Sequence, residues 1–568
     1  MTQAKLSETL DKYGDRLWPL LPNEWHYRLK NSIHILELSK ELKKRNFYLV
    51  TVIANDEREL EDKCFKIYYL FSHPADNMFL ITEMVLDNKQ ETYCSIAEVF
   101  KAARPFELEI GDLFGLYPAQ RLGQEQSARP AEDRTKTFLH GSYPANFNPL
   151  RRHDNALLPE TTERVTARYV EHSLPEPPTG ELYLTVGPVH AGVIEPGRFS
   201  FRISGEIIEE VEIKLGYTHK GIERLFQTHY NLLEGWRLAE HVSGDSSFAH
   251  SLAYCKAVEA LAGCHISKVA KLLRALFLEM ERLVNHIGDT GALAHDIALE
   301  LVAAELAVLR EEMLRLNGEM TGSRFLRKLN RPGGLELPGT ITGGFLENLW
   351  IRLEKITNKY QALAEPMLKG SHFRNRALGV GILKEEQALD LGATGMVARA
   401  AGLLRDFRLQ HPFGPYGDAE VKAIIESHRG RYIENYGLDK YRGDVYSRFL
   451  QRMEEVETSK ELIAYFIQCF KKFPPVTNYR EELDLERVDN FVFGFGYVEG
   501  WRGDIVYWIM KDKFNRIYRC KIRDASTLNW PALKEALAPT NSSLRETLLA
   551  DFPLINKSFN LSYSGNDL

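Results

Sequence analysis

Short runs of β-branched and aromatic residues, each bounded by turn formers, fill the first part of the chain. Phe47–Ile53, Cys64–Phe71 and Met78–Leu86 read as strands, punctuated by Asn55-Asp56 and His73-Pro74, and together they predict a small sheet. Helical spacing predicts a helix over Ser32–Lys43 and another over Ile96–Ala103. The polar stretch Gly123–Lys136 reads as a surface loop. His172–Gly180 (HSLPEPPTG) holds three prolines in nine residues. Proline fixes φ and lacks a donor, so neither a helix nor an interior strand survives there, and the segment predicts a domain boundary.

Beyond that boundary the period changes. Glu181–Val186, Phe199–Ser204 and Glu206–Ile213 predict a short antiparallel sheet, with turns at Pro196-Gly197 and Gly205. From about Gly221 to Lys472 the pattern is helical. Val269, Leu272, Leu273, Leu276, Met280, Leu283, Val284 and Ile287 place one apolar stripe on a helix through Lys268–Ile287. Ile297–Leu316 repeats the pattern and is predicted to stop at Asn317-Gly318, while Phe345–Leu363 and Val445–Phe473 add two long amphipathic helices. The predicted fold class is α+β. A small α/β domain with a mixed sheet spans residues 1–155, a proline-rich linker 156–180, and a mainly helical bundle domain with a small antiparallel sheet at its start 181–568.

Composition narrows the function classes. The 568 residues are 26% charged and 44% hydrophobic, which excludes a disordered chain, and the net charge of −6 with both signs interspersed lacks the basic excess of a nucleic-acid binder. No run approaches the ~20 apolar residues of a membrane span, so contact with a membrane is expected through partner subunits. None of the cysteines Cys64, Cys94, Cys255, Cys264, Cys469 and Cys520 lies within three residues of another. That spacing excludes a C-x-x-C redox pair or thiolate metal site, and they read as small buried residues in a reducing compartment.

Ordered motifs carry more. Gly187-Pro188-Val189-His190 is followed by Glu195-Pro196-Gly197-Arg198-Phe199, then by the run Gly216–Leu225 (GYTHKGIERL). Glu281–His286 (ERLVNH), Gly443–Arg448 (GDVYSR) and Glu499–Asp504 (EGWRGD) come later. These resemble the large catalytic subunit shared by membrane-bound energy-converting nickel-iron hydrogenases and respiratory complex I. Arg104–Pro118, with Asn148–Arg152, resembles the small complex I subunit that some relatives fuse in front of it, a layout similar to the large subunits of the formate hydrogenlyase group. The resemblance implies a peripheral subunit on the cytoplasmic face of the inner membrane. It implies an iron-sulfur partner subunit, membrane-embedded antiporter-like subunits, and no role for nucleic acid. Electrons reaching such a subunit end at a nickel-iron centre or a quinone. The complex I branch also brings NAD and quinone binding as expectations of the assembly.

The resemblance places the thiolate positions of a nickel-iron centre on Ser243-Gly244-Asp245-Ser246 and on Ser562-Tyr563-Ser564-Gly565. Neutral hydroxyls and a glycine do not replace thiolates, so no metal and no cofactor bound by this chain is expected, and a hydrogenase is excluded. Leu568 follows Gly565 by three residues, so the tail that relatives clip during metal loading is not expected here either. The tyrosine of complex I-type quinone reduction falls on Gly244, leaving that reading unsupported while a remodelled quinone site stays open.

Asp245, Glu195 and Arg502 are the candidate proton-handling residues, with Asp245 alternatively a helix N-cap before Phe248. His219, Lys220 and His286 match positions beside the partner's cluster, where a cation tunes the potential. His190, Ser243, Ser246, Ser562 and Asp504 are expected to line the same cavity. The first function hypothesis is a coupling subunit of an ion-translocating complex without nickel-iron chemistry. The alternatives are an oxidoreductase subunit reducing a quinone or other small acceptor, and a structural scaffold.

Overall fold

Five strands build the N-terminal sheet: β1 (Gly14–Leu17), β2 (Glu24–Leu29), β3 (Tyr48–Glu57), β4 (Cys64–His73) and β5 (Met78–Leu86). Their order is β1-β2-β5-β4-β3, with β2 and β5 parallel and the other neighbours antiparallel, so the sheet is mixed. This computed structural model describes residues 3–17, 23–87, 90–119, 147–152, 176–191, 194–436, 438–474, 478–539 and 546–568. The predicted loop 123–136 and residues 156–175 of the predicted linker lie outside the described residues.

The central strands read as continuous apolar runs because both faces are covered. Tyr69, Phe71 and Leu80 pack against the helices His34–Lys44 and Arg104–Phe114 on one side, while Tyr68, Leu70, Phe79 and Ile81 meet the C-terminal sheet on the other. The helix predicted over 96–103 is displaced: a turn and a 3-10 segment occupy it, and the α-helix runs from Arg104 to Phe114. Pro105 suits the first helical turn, and Glu107 reaches back to accept bonds from Ser95 Oγ and Ile96 N, folding 95–96 away from the helix axis. A parallel pair, β6 (Thr92–Cys94) and β7 (Tyr117–Ala119), flanks this helix.

The middle sheet forms as predicted, from β8 (Glu181–Val186), β9 (Arg198–Ser204) and β10 (Ile207–Lys214) in antiparallel order β10-β9-β8. The helical part follows, built on Ser247–Leu261, Lys268–Asp296, Glu300–Thr321, Gly343–Lys369 and Val445–Phe470. All eight stripe residues named above on the Lys268–Asp296 helix are buried, and Glu279, Arg282, His286 and Asp289 on its polar side are buried too. The stop expected at Asn317-Gly318 falls instead at Gly322, in the left-handed region. Asn317 is buried and donates to Arg324 O, so its amide serves the next loop and does not end the helix. A short pair, β11 (Asn330–Arg331) and β12 (Gly334–Leu335), precedes the last two long helices. No helix among the described residues is long and apolar enough to cross a membrane.

A third sheet, β13 (Phe493–Glu499), β14 (Asp504–Lys511) and β15 (Ile517–Arg523), lies between the N-terminal sheet and the helices, and the sequence did not announce it. The reason lies in β13, where glycines alternate with aromatics. A Cβ on Gly494 or Gly496 would stand 2.1 Å from the carbonyl oxygen of Ala257 or Ala253, so the helix Ser247–Leu261 rests directly on strand backbone. Phe495, Tyr497 and Trp508 face the other way, into the N-terminal sheet.

Buried charges also join these parts. Lys521 on β15 donates to both Glu109 oxygens (2.5 and 2.6 Å) and lies 3.5 Å from Glu223, while Arg519 donates to Glu223 (2.7 Å) and to Ala54 O (3.1 Å). Burial and the charge of Glu223 push Glu109 up to about 7, against the pull of Lys521. Lys521→Met strands the buried Glu109 carboxylate, while Glu223 keeps Arg519, and is expected to lower unfolding stability by ~3–5 kcal/mol, with partial recovery when Glu109→Gln is added, both read by denaturant titration.

Candidate functional site

Two loops far apart in sequence meet at a pair of hydroxyls. Ser243 Oγ and Ser562 Oγ are 2.9 Å apart across 319 residues. Ser562 is the N-cap of the short helix Tyr563–Asp567, its Oγ accepting from Gly565 N at 2.9 Å. Ser243 donates to Asp245 Oδ1 at 3.0 Å, and Ser246 reaches the same oxygen at 3.4 Å.

Arg502 closes the site. It stands on the turn between β13 and β14 and grips Asp245 with two nitrogens, at 2.6 and 2.7 Å. It also donates to Asn560 O (2.5 Å) and lies 4.0 Å above the Trp501 ring. The turn itself is held by Arg282, fully buried on the long helix, which donates to Glu499 O (2.8 Å) and Gly500 O (2.9 Å) and pairs with Glu279 and Glu455. The backbone of Asp245 is tethered by Asn285 Nδ2 (2.9 Å) and Trp501 Nε1 (3.2 Å). Burial alone would raise the Asp245 carboxyl, but the Arg502 guanidinium and the Ser243 hydroxyl hold it below the usual carboxylate range. Asp245 is therefore a fixed anion.

The capping role expected of Asp245 belongs to Glu281. Its two carboxyl oxygens accept from Phe248 N (2.7 Å) and Ala249 N (3.1 Å), satisfying the first turn of Ser247–Leu261, whose N-cap Ser246 makes no side-chain cap bond. Asp245 cannot fill this role because Arg502 and Ser243 take its oxygens. Burial, joined by the charge of Asp245, pushes Glu281 up to about 8 against the pull of the two N–H donors. A pocket of ≈ 10 Å³ between Asp245, Glu281 and Asn285 has room for about one water.

The remaining expected residues divide. Glu195 joins the cluster from the other side, accepting from Tyr563 N and Ser564 N, both at 3.2 Å, at the start of the Ser562-capped helix. His219 Nδ1 meets Asp567 O at 2.6 Å on that same helix, and Lys220 donates to His241 O (2.7 Å) just before the Ser243 loop. Burial presses Lys220 below its usual range. His190 Nε2 meets Gly197 O at 2.7 Å within the Glu195 loop. His286 is elsewhere: it is fully buried inside the long helix, bonded to Glu455 at 2.8 Å, and has no surface to offer a partner's cluster. Asp504 pairs with Arg523 and lines a separate pocket with Tyr48, Arg405 and Glu499.

The donor set does not fit a thiolate-held metal. Hydroxyls occupy three of the four positions and bond to one another or to Asp245. At the fourth, a Cβ on Gly565 would stand 2.7 Å from Asp524 Cγ and 2.9 Å from Ser562 Oγ, in space filled by an aspartate that His250 holds at 3.0 Å. Among the described residues no three His, Cys, Asp or Glu side chains gather to hold a metal ion.

The chain is similar to known proteins over most of its length. Residues 30–135 match the family model of the respiratory-chain NADH dehydrogenase 30 kDa subunit, and residues 301–490 that of the 49 kDa subunit. Formate hydrogenlyase subunit 5 of Escherichia coli (strain K12) is 28% identical over 537 residues, covering 92% of this chain and 85% of its own length. The alpha subunit of the membrane-bound hydrogenase of Pyrococcus furiosus is 28% identical over 333 residues, covering 58% of this chain and 75% of its own length. A chain in the structure of the membrane-bound sulfane sulfur reductase, an archaeal respiratory membrane complex, shares the fold with a TM-score of 0.58 at 22% identity, covering 68% of this chain and 99% of its own.

The two carboxylates of the site give a pH signature. The folded protein holds the Glu281 proton up to about pH 8, whereas the unfolded chain releases it near 4.5. Stability drawn from that proton is full below pH 4.5 and is lost as the pH rises toward 8. Replacing Glu281 by Gln removes this slope, so the stability of Glu281→Gln relative to wild type is expected to rise across that window, measured by denaturant melts at several pH values.

Proposed function

The chain joins a 30 kDa-type and a 49 kDa-type subunit of the respiratory-chain NADH dehydrogenase family in one polypeptide, and from that premise we propose that it is a coupling subunit of a complex I-like, hydrogenase-related membrane complex that works without a nickel-iron centre. The observation that carries this reading is the Ser243–Ser562 hydroxyl contact, where the resemblance calls for thiolates, closed over by the Asp245–Arg502 pair.

The chemistry left to this site is proton handling. Asp245 is a fixed charge, and Glu281 beside it is the group whose proton is exchangeable near neutrality. Their environments divide the roles. Negative charge arriving in a neighbouring iron-sulfur subunit raises the proton affinity of Glu281, and its departure lowers it, so electron transfer in the partner becomes proton uptake and release here. Displacing Arg502 from Asp245 acts in the same direction, because it exposes Glu281 to an unscreened anion. The pocket between Asp245 and Glu281, with room for about one water, supports this reading, since a water there can pass a proton to Glu281. The partner's cluster is expected against the loops that carry His190, His219 and Lys220, which surround the Tyr563–Asp567 helix. Membrane-embedded antiporter-like subunits complete the assembly, with this chain on the cytoplasmic face.

Two measurements test this. The purified complex is expected to contain far less than one nickel per chain and to neither evolve nor consume hydrogen, by elemental analysis and hydrogen-electrode assay. In membrane vesicles, Asp245→Asn and Glu281→Gln are each expected to abolish ion translocation in a fully assembled complex, with Glu195→Gln affecting assembly first. Wild-type transport in both Asp245→Asn and Glu281→Gln makes the subunit a scaffold.

A further inference from the structure

A second cavity, independent of the site above, lies between the helices Ser247–Leu261 and Lys268–Asp296 and the turn at Phe413-Gly414. It measures about 170 Å³. Leu252, Ala260, Ile266, Ala275 and Phe413 give it apolar walls, and the exposed His265 marks its opening to the surface.

Its charges do not balance. Lys256, Lys271 and Arg274 line the cavity together with a single carboxylate, Glu259. That carboxylate is already spent: Arg274 binds it through two nitrogens, at 2.9 and 2.7 Å, and Gly333 N donates to it at 2.9 Å. Lys256 donates once, to Tyr497 O at 2.6 Å, and lies 3.7 Å from the Phe413 ring centre and 4.0 Å from that of Tyr497. An ammonium carries three donors, so two remain. Lys271 makes no ion pair among the described residues. Arg274 is 3% exposed, and its Nε is a buried donor without an acceptor. A buried guanidinium N–H without an acceptor, beside two half-buried ammoniums of the same sign around an empty volume, specifies the missing group, because the buried donor costs free energy until an anion meets it.

We propose that this cavity is a binding site for a small aliphatic carboxylate, its carboxyl group between Lys256, Lys271 and the Arg274 Nε, and its hydrocarbon part on Leu252, Ile266 and Phe413. Three features select this class. The cation cluster requires an anion. The apolar walls require a hydrocarbon body, which inorganic phosphate lacks. The volume, more than ten times the ~10–15 Å³ that one water needs, admits a short chain. Burial also presses the Lys256 ammonium well below its usual range, and a bound carboxylate supplies the counter-charge that restores it.

The test is titration of the full-length chain with sodium butyrate, sodium succinate, inorganic phosphate and butylamine at constant ionic strength, followed by calorimetry and thermal shift. Saturable binding of butyrate or succinate at one per chain is expected, with a Kd of ~1 mM or tighter. Lys271→Ala, a half-buried position that leaves the core intact, is expected to weaken it by about tenfold. Ala260→Phe, which fills the cavity, is expected to abolish it. The proposal is overturned if no carboxylate binds at about 10 mM, if phosphate alone binds, or if both variants bind as wild type does.

Discussion

A guanidinium with no access to water governs the arrangement of this protein. Arg282 lies at the centre of the Lys268–Asp296 helix, and removing such a group from water is costly unless acceptors and counter-charges meet it. Glu279 and Glu455 supply charge, and the carbonyls of Glu499 and Gly500 supply the rest. Those carbonyls belong to the turn that carries Trp501 and Arg502. Satisfying one buried cation on the long helix therefore fixes where the second cation meets Asp245. Glu455 and Glu499 in turn bind Arg399, and Glu279 and Asp406 bind Arg408, so the network extends through the helical core as alternating charge. Such networks contribute less to net stability than to uniqueness, since any rearrangement leaves an ion unpaired in low dielectric.

The same constraint separates the two acids of the site. Asp245 and Glu281 share a pocket, yet one faces a guanidinium and a hydroxyl while the other faces backbone amides and its charged neighbour. Burial acts on both in the same direction. The Arg502 guanidinium overcomes burial at Asp245, whereas at Glu281 no cation grips the carboxyl and burial prevails over the two N–H donors.

Much of this was legible in the sequence where side-chain pattern and backbone state agree. The strands β3, β4, β5 and β8 and the long helices follow from periodicity, and the serine positions from the order of motifs. The convergence of Ser243, Asp245, Arg502 and Ser562 was anticipated as chemistry. What stayed hidden depended on the space between elements. Glu281 stands in a recognisable motif, but only its approach to the amides of Phe248 and Ala249 distinguishes it from the other buried carboxylates of its helix. β13 escaped notice because glycine, weak in isolated strands, is required there by the helix above it. Asn317-Gly318 has the letters of a helix stop, and the bond that Asn317 makes to Arg324 in the following loop overrides them.

The bare backbone contact at Gly494 and Gly496 has a consequence for how this site tolerates change. The helix Ser247–Leu261 takes its height from peptide groups and not from the bulk of any side chain, and the loop bearing Ser243 and Ser246 hangs from its end. A change of side chain on that loop leaves the height of the helix unaltered, because no side chain of the loop sets it. The protein thus behaves as a rigid socket with replaceable pins, in which the mount and the chemistry can change at separate rates.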